Sequence, residues 1–154
     1  MLWGGILEIN EKGISRNKVI LYPETHEECY SFFKKRNPHA HPAVLFRKSF
    51  FEKIGRKYRP DYRQNQDIML WYDGMKAGTR HANIQDVVLK FRITNSMFKK
   101  RRNGWVFAKK QFSNRLMINR GLGYGLMADV YGFAMFCLLI SPVWMKKIAY
   151  KMQR

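Results

Sequence analysis

The chain has 154 residues, 46% of them apolar and 15% aromatic, which predicts one domain with a hydrophobic core and argues against an intrinsically disordered chain. Its formal net charge of +18 favours a polyanionic partner: nucleic acid, an anionic lipid surface or nucleotide phosphates. The two cysteines, Cys29 and Cys137, lack the short spacing of a metal or redox site and fit a reducing cytoplasm.

The first elements form a predicted β-hairpin. A strand over 3–9 is followed by a turn in which Gly13 takes a positive φ, and a second strand runs over 18–22. Glu8 interrupts any signal-peptide core, and no basic segment precedes it. A domain that opens directly on a strand leads us to expect further sequence before Met1.

Two short helices are predicted next, each from a capping box. Thr25 and Glu28 start the first helix, which runs to about residue 35, and Pro38 follows it. The apolar run over 43–46 predicts a buried strand. Ser49 then starts a helix over 49–54, and Gly55 ends it.

A loop over 56–66 leads into the clearest helix of the chain. From Asp67 onwards, an apolar stripe recurs at helical spacing until Gly78 ends the helix; its members are Ile68, Trp71, Tyr72 and Met75. Two short strands around a turn are predicted at 81–84 and 87–92.

The last third is the most basic part, because its one acidic residue is Asp129. A basic connector over 98–104 precedes a predicted helix over 105–119, and residues 130–145 carry no charge. A membrane span needs about 20 apolar residues, and this segment falls short without Asp129. An interfacial helix on anionic lipid fits better, although an ordinary buried helix is nearly as good an interpretation.

Asp67 is the first candidate for a functional role. A carboxylate in the first turn of a helix is most often structural, since the helix dipole stabilises it. At a junction between a loop and a helix, it can instead face a cleft and act as a general base toward a sugar hydroxyl.

Histidine, tryptophan and arginine side chains supply further candidates. His41, with His39 across the same turn, can face the cleft of Asp67, whereas the spacings reject a structural metal site. Trp71 is either a core residue, which is the commoner case, or a platform for a sugar. Arg92, Arg101 and Arg102 can pair with phosphate oxygens, although the last two belong to a charge run that is more often simply solvated.

Taken together, five segments resemble the acceptor half of family 2, GT-A type, inverting glycosyltransferases of capsular polysaccharide and lipopolysaccharide synthesis. In chain order they are Asn-Pro-His-Ala-His-Pro-Ala-Val-Leu-Phe-Arg-Lys-Ser at 37–49, Gly55 with Tyr58, Gln-Asp-Ile-Met-Leu-Trp at 66–71, Asn83-Ile84 with Leu89 and Arg92, and Arg-Arg-Asn-Gly at 101–104. Gln66 stands where the family usually has Glu.

The resemblance implies an α/β fold, with a partial GT-A domain at 1–97 and a basic helical tail at 98–154. It implies that Asp67 is the catalytic base, and that Gln66, His41, Trp71 and the three arginines shape the acceptor and diphosphate sites. The partners would be a nucleotide-sugar donor and a saccharide or lipid-linked acceptor. The apolar and basic residues of 126–154 separately predict peripheral membrane contact. The implied location is the cytoplasm, at the inner face of the membrane.

The N-terminal half of the family pattern, which holds the nucleotide-binding βαβ units, is missing. The resemblance therefore implies a truncated, split or degenerate glycosyltransferase, which is expected to be inactive without a donor-binding half. The family uses a divalent cation, Mg²⁺ or Mn²⁺, held by an Asp-x-Asp motif in its donor-binding half, and no Asp-x-Asp occurs in this sequence. The competing hypothesis is a non-catalytic basic protein that binds an anionic membrane or nucleic acid, of which nucleic acid is the weaker choice.

Overall fold

The computed structural model describes residues 1–62, 65–94, 104–142 and 145. The chain divides into two compact units, residues 1–94 and residues 95–154. The domain boundary predicted after residue 97 and most of the predicted basic connector lie outside the described residues.

The first unit is built on a mixed β-sheet around one central strand. Strand β1 (Leu2–Ile9) pairs with β2 (Ser15–Ile20), β3 (Val44–Leu45) and β4 (Ala82–Arg92). Strand β4 runs parallel to β1 along its whole length, whereas β2 and β3 run antiparallel to different halves of it. Because a strand has two edges, β2 and β3 share one edge and β4 occupies the other. Together with the helices, this sheet confirms the predicted α/β class.

The predicted hairpin is present. Gly13 adopts a φ of +84°, as expected, and the Asn10 side chain accepts hydrogen bonds from the backbone of Lys12 and Ile14 at 2.9 Å each. The second strand begins at Ser15 and ends at Ile20, three residues earlier at its start than predicted.

Three helices follow in the described part of this unit: α1 (His26–Phe33), α2 (Lys48–Ile54) and α3 (Gln66–Lys76). The capping box of α1 is confirmed, because the Thr25 hydroxyl accepts from Glu28 N at 3.2 Å and Thr25 N donates to the Glu28 carboxylate at 3.1 Å. The second capping box is wrong: α2 starts at Lys48 and has no side-chain cap. Gly55 ends α2 with a φ of +68°, as predicted.

Two of the predicted strand assignments are also wrong. Residues His41–Ala43 form a 3-10 turn, which suits the fixed φ of Pro42, and only Val44–Leu45 pair with β1. Leu45 is 71% exposed, so this strand is not buried. Strand β4 is continuous over the range predicted as two strands, because β-bulges opposite Gly5 absorb its extra residues.

Helix α3 forms much of the core of the first unit. Trp71, Tyr72 and Met75 of the predicted stripe are buried, and Ile68 is half-buried. Met69 and Leu70 are buried as well, so the buried face of α3 is wider than the predicted stripe.

The second unit is an antiparallel helical hairpin of α4 (Trp105–Gly121) and α5 (Leu126–Ile140). Trp105 packs on Phe136 at the open end, Phe112 packs on Phe133 further along, and Asn119 donates to Asp129 near the turn. The predicted helix over 105–119 is therefore confirmed. Among the described residues, no helix combines the length and the apolar character that a membrane span requires.

Candidate active site

Asp67 lies in the first turn of α3, behind Asn65, which takes a left-handed conformation with a φ of +68°. Its side chain does not cap the helix, and among the residues the structure describes it makes no hydrogen bond or ion pair. It is partly exposed. An ionised carboxylate in this state can accept a proton from a bound hydroxyl group.

Tyr58 interacts electrostatically with Asp67 and through its ring with His41. Burial, and then the negative charge of Asp67, raise the pKa of the Tyr58 phenol. The Tyr58 ring meets the His41 ring edge-to-face, with 6.3 Å between centroids. Three separate segments therefore converge: the 3-10 turn, the loop after α2, and the first turn of α3.

Trp71 lies one helical turn after Asp67 and forms the floor of this site. Its side chain is fully buried, and its ring contacts His41 at 5.7 Å and stacks near Phe46 at 5.8 Å. The indole has no face open to solvent, so the structure places Trp71 as a core residue that supports the exposed His41, and a sugar cannot stack on it.

Beneath this floor lies a chain of buried polar side chains. His39 Nε2 is 3.1 Å from His81 Nδ1, His39 Nδ1 is 3.3 Å from Asn83 Oδ1, and Thr79 Oγ1 is 3.0 Å from His81 Nε2. The Asn83 amide donates to the Pro23 and Pro38 carbonyls, so its oxygen is the acceptor for His39. His39 therefore carries its proton on Nδ1, His81 donates from Nδ1 to His39, and the Thr79 hydroxyl donates to His81.

His39 and His81 are both neutral at pH 7. Burial lowers the pKa of His39 to about 3 and that of His81 to about 2. His39 also stacks flat on Trp3, with centroids 3.5 Å apart and an interplanar angle of 6°. The expectation that His39 shares the cleft with His41 is therefore wrong: His39 is a core residue, and His41 alone is exposed.

The remaining predicted residues do not all join the site. Gln66 adjoins Asp67, is partly exposed and has no side-chain hydrogen bond within the described ranges. Arg92 donates to the backbone carbonyls of Asn10 and Glu11, at the far end of the sheet. Arg92 pairs with Ile9 on β1, whereas Trp3 of β1 packs against Trp71. The strand extends about 20 Å from Trp3 to Ile9, so the structure does not bring Arg92 to the site. Arg101 and Arg102 lie outside the described residues.

A divalent cation has no evident ligand set in the described part of the chain. No group of three or more His, Cys, Asp or Glu side chains lies close enough together to hold a metal ion there. The sequence also lacks Asp-x-Asp. The described residues therefore do not fit the cation that the resemblance implies.

Comparisons with known proteins indicate the class of protein to which the chain is similar. No protein-family model matches the chain, and no solved structure matches it. It is 32% identical to the amylovoran biosynthesis glycosyltransferase AmsE of Erwinia amylovora, over 69% of this chain and 38% of that protein. It is 29% identical to a glycosyltransferase of Haemophilus influenzae, over 98% of this chain and 55% of that protein.

A third relative has a more specific name. The UDP-Gal:alpha-D-GlcNAc-diphosphoundecaprenol beta-1,3-galactosyltransferase of Escherichia coli is 31% identical over 64% of this chain and 34% of that protein. The chain thus spans about half or less of the length of these curated relatives. All three are glycosyltransferases, which supports glycosyl transfer as the class of function and does not favour the alternative of a non-catalytic binding protein.

Proposed function

We propose that this chain is the acceptor-side part of an inverting glycosyltransferase of family 2 and GT-A type, with Asp67 as the general base. The observation that carries this proposal is the carboxylate of Asp67, unpaired among the described residues and grouped with Tyr58 and the exposed His41. The similarity to three glycosyltransferases supports the reaction class.

The proposed reaction is a direct displacement. The oxygen of an acceptor hydroxyl attacks the anomeric carbon of the donor sugar, and Asp67 takes the proton of that hydroxyl. The bond from the anomeric carbon to the diphosphate oxygen breaks, and its electron pair leaves with the nucleoside diphosphate. Attack in line with the leaving group inverts the anomeric configuration. His41 and Tyr58 hydrogen-bond the acceptor and orient its hydroxyl toward Asp67.

The substrates are proposed by class. The donor is a nucleotide sugar and the acceptor is a saccharide or lipid-linked saccharide, in keeping with the donor and acceptor in the name of the Escherichia coli relative. Arg101 and Arg102 remain predicted contacts of the diphosphate, and the inner face of the cell membrane remains the predicted location. No step is assigned to a divalent cation, because the described residues offer no ligand set for it.

A transfer assay tests the proposal. The chain, alone and joined to the donor-binding half of a family 2 glycosyltransferase, is incubated with labelled UDP-galactose and GlcNAc-diphosphoundecaprenol, and then with other nucleotide sugars and lipid-linked saccharides. We expect label in the lipid extract and, by NMR, a glycosidic bond of the opposite anomeric configuration to the donor. Transfer with retention, label released only as free sugar, or no transfer by the joined protein across these pairs would contradict the proposal.

A further inference from the structure

Tyr58 lies in a loop without regular secondary structure. Residues 56–62 form neither a helix nor a strand, so no ladder of backbone hydrogen bonds fixes this loop in place. The Tyr58 ring nevertheless makes a defined edge-to-face contact with the His41 ring, at 6.3 Å between centroids. A side-chain interaction must therefore hold the loop at this point.

The next residue along the loop, Arg59, supplies that interaction. Its Nε donates to Asp73 Oδ2 at 2.9 Å and a terminal nitrogen donates to Asp73 Oδ1 at 2.5 Å. The guanidinium carbon also lies 5.8 Å from the ring centroids of Tyr62 and Tyr72, which is within the range of a cation–π contact. Two parallel hydrogen bonds fix direction as well as distance, so they orient the loop on either side of Arg59.

The other end of this link is part of the core. Asp73 belongs to α3, which Trp71 anchors with a fully buried side chain. Asp67 lies six residues earlier on the same helix, or about 9 Å along its axis. The pair of Arg59 and Asp73 therefore joins the residue next to Tyr58 to the helix that carries Asp67.

Arg56 approaches the same carboxylate without making such a link. Its Nε is 4.0 Å from Asp73 Oδ2, which is too far for a hydrogen bond, and its side chain is 54% exposed. It contributes charge but fixes no direction. Arg56 is thus a matched control for Arg59, because both are arginines of one loop that face one carboxylate.

We propose that the pair of Arg59 and Asp73 positions the acceptor site, by holding Tyr58 in contact with His41 and near Asp67. Arg59 is a positioning residue in this role, since it acts on the acceptor through the Tyr58 hydroxyl. The inference rests on the proposed function, in which that hydroxyl orients the acceptor.

Nuclear Overhauser effects in the full chain at pH 7 test the inference without any need for activity. One effect, here called the ring contact, is measured between the Tyr58 and His41 rings. A second, here called the core stack, is measured between Trp3 and His39, whose ring centroids are 3.5 Å apart in the same unit. The core stack reports folding, so a change in the ring contact alone is a change in the loop.

We expect Arg59→Ala to lose the ring contact and keep the core stack, at a temperature well below its unfolding midpoint. Arg59→Lys should retain less than about half of the ring contact, since an ammonium group does not present a planar fork to both oxygens. Arg56→Ala should keep both effects. A full ring contact in Arg59→Ala, or its equal loss in Arg56→Ala, would overturn the inference. If Arg59→Ala lost the core stack as well, Arg59→Lys would decide, and a full ring contact there would overturn it.

Kinetics of the joined protein test the consequence for the acceptor. Arg59→Ala should raise the KM for the acceptor about 3- to 10-fold with little change in kcat, as expected for the loss of one hydrogen bond. Combined with Tyr58→Phe, it should raise that KM no further, because both changes act through one hydroxyl. Effects that multiply in the double variant would overturn the inference. No transfer by the joined wild type would contradict the proposed function instead, and the ring contact would still decide the role of Arg59.

Discussion

His39 and His81 share a hydrogen bond in the core of the first unit, with His39 Nε2 and His81 Nδ1 3.1 Å apart. Each ring has a partner at its other nitrogen, Asn83 for His39 and Thr79 for His81. This arrangement requires both rings to be neutral, since a protonated imidazole has no lone pair with which to accept a hydrogen bond. The pair joins β4 to the segment that carries His41, and so fixes the base of the proposed site.

The first prediction is a loss of stability in mild acid. Both pKa values are lowered in the folded protein, to about 3 and about 2, while an unfolded histidine titrates near 6.5. Below pH 6.5 the unfolded state therefore binds more protons than the folded state, and the free energy of unfolding falls as the pH falls. With both rings contributing, the slope should approach about 2.7 kcal/mol per pH unit.

Urea unfolding between pH 7 and pH 5 measures this slope in a range where most carboxylates stay ionised. His39→Asn removes one of the two rings, so the slope should fall by about half even though the variant starts out less stable. An unfolding free energy that stays constant over this range would show that the pair does not govern acid stability.

A second prediction concerns the ion pair between Arg59 and Asp73. Arg59 donates to both Asp73 oxygens, at 2.9 and 2.5 Å, and ties the loop that carries Tyr58 to α3. The Arg59 side chain is 22% exposed and that of Asp73 is 9% exposed. Arg59→Ala leaves a nearly buried carboxylate without this partner, and should lower the free energy of unfolding by about 1.5–3 kcal/mol.

Arg56 provides the control for that measurement. It lies 4.0 Å from the same carboxylate, and its side chain is 54% exposed. Arg56→Ala should cost less than about 1 kcal/mol, since exposed ion pairs contribute little. If denaturant unfolding showed equal losses of unfolding free energy for the two variants, the two hydrogen bonds of Arg59 would not stabilise the protein more than the exposed pair does.

A third prediction concerns Tyr58. Burial and the charge of Asp67 raise the pKa of its phenol, so the hydroxyl stays protonated at neutral pH and can donate to an acceptor sugar. Tyr58→Phe keeps the ring against His41 but removes that donor. The KM for the acceptor should rise about 3- to 10-fold with little change in kcat. A rise of this size corresponds to the free energy of one hydrogen bond. Tyr30→Phe on α1 is the control, and an unchanged KM for Tyr58→Phe would remove Tyr58 from the site.

Local sequence signals predicted much of the fold. The capping box at Thr25, the positive φ of Gly13 and the apolar stripe of α3 depend on residues close together in the chain. The failures depend on distant partners. The segment around Leu45 is apolar yet exposed, because only two of its residues pair with β1. Strand β4 passes without a break through the polar pair Gln85 and Asp86, because bulges against Gly5 keep it in register.

The candidate site could likewise be predicted only where a residue's role depends on its neighbours in the sequence. Asp67 and His41 are visible from their positions beside a helix and a proline turn. The buried chain through His39, His81 and Asn83 has no periodic signal, since its members come from segments more than 40 residues apart. Arg92 was assigned by its residue type, and the parallel pairing of β4 with β1 carries it to the opposite end of the sheet. Tyr58 could have been found from its place in the Gly55 and Tyr58 segment of the resemblance.

The central claim is that Asp67 is the general base, and the kcat of Asp67→Asn tests it most directly. The asparagine keeps the size of the side chain but cannot take the acceptor proton. We expect kcat to fall about 10²- to 10⁴-fold while acceptor binding changes little. Asp86→Asn, an exposed change on β4, should leave kcat unaltered. If Asp67→Asn transferred sugar as fast as the wild type, Asp67 would not be the base.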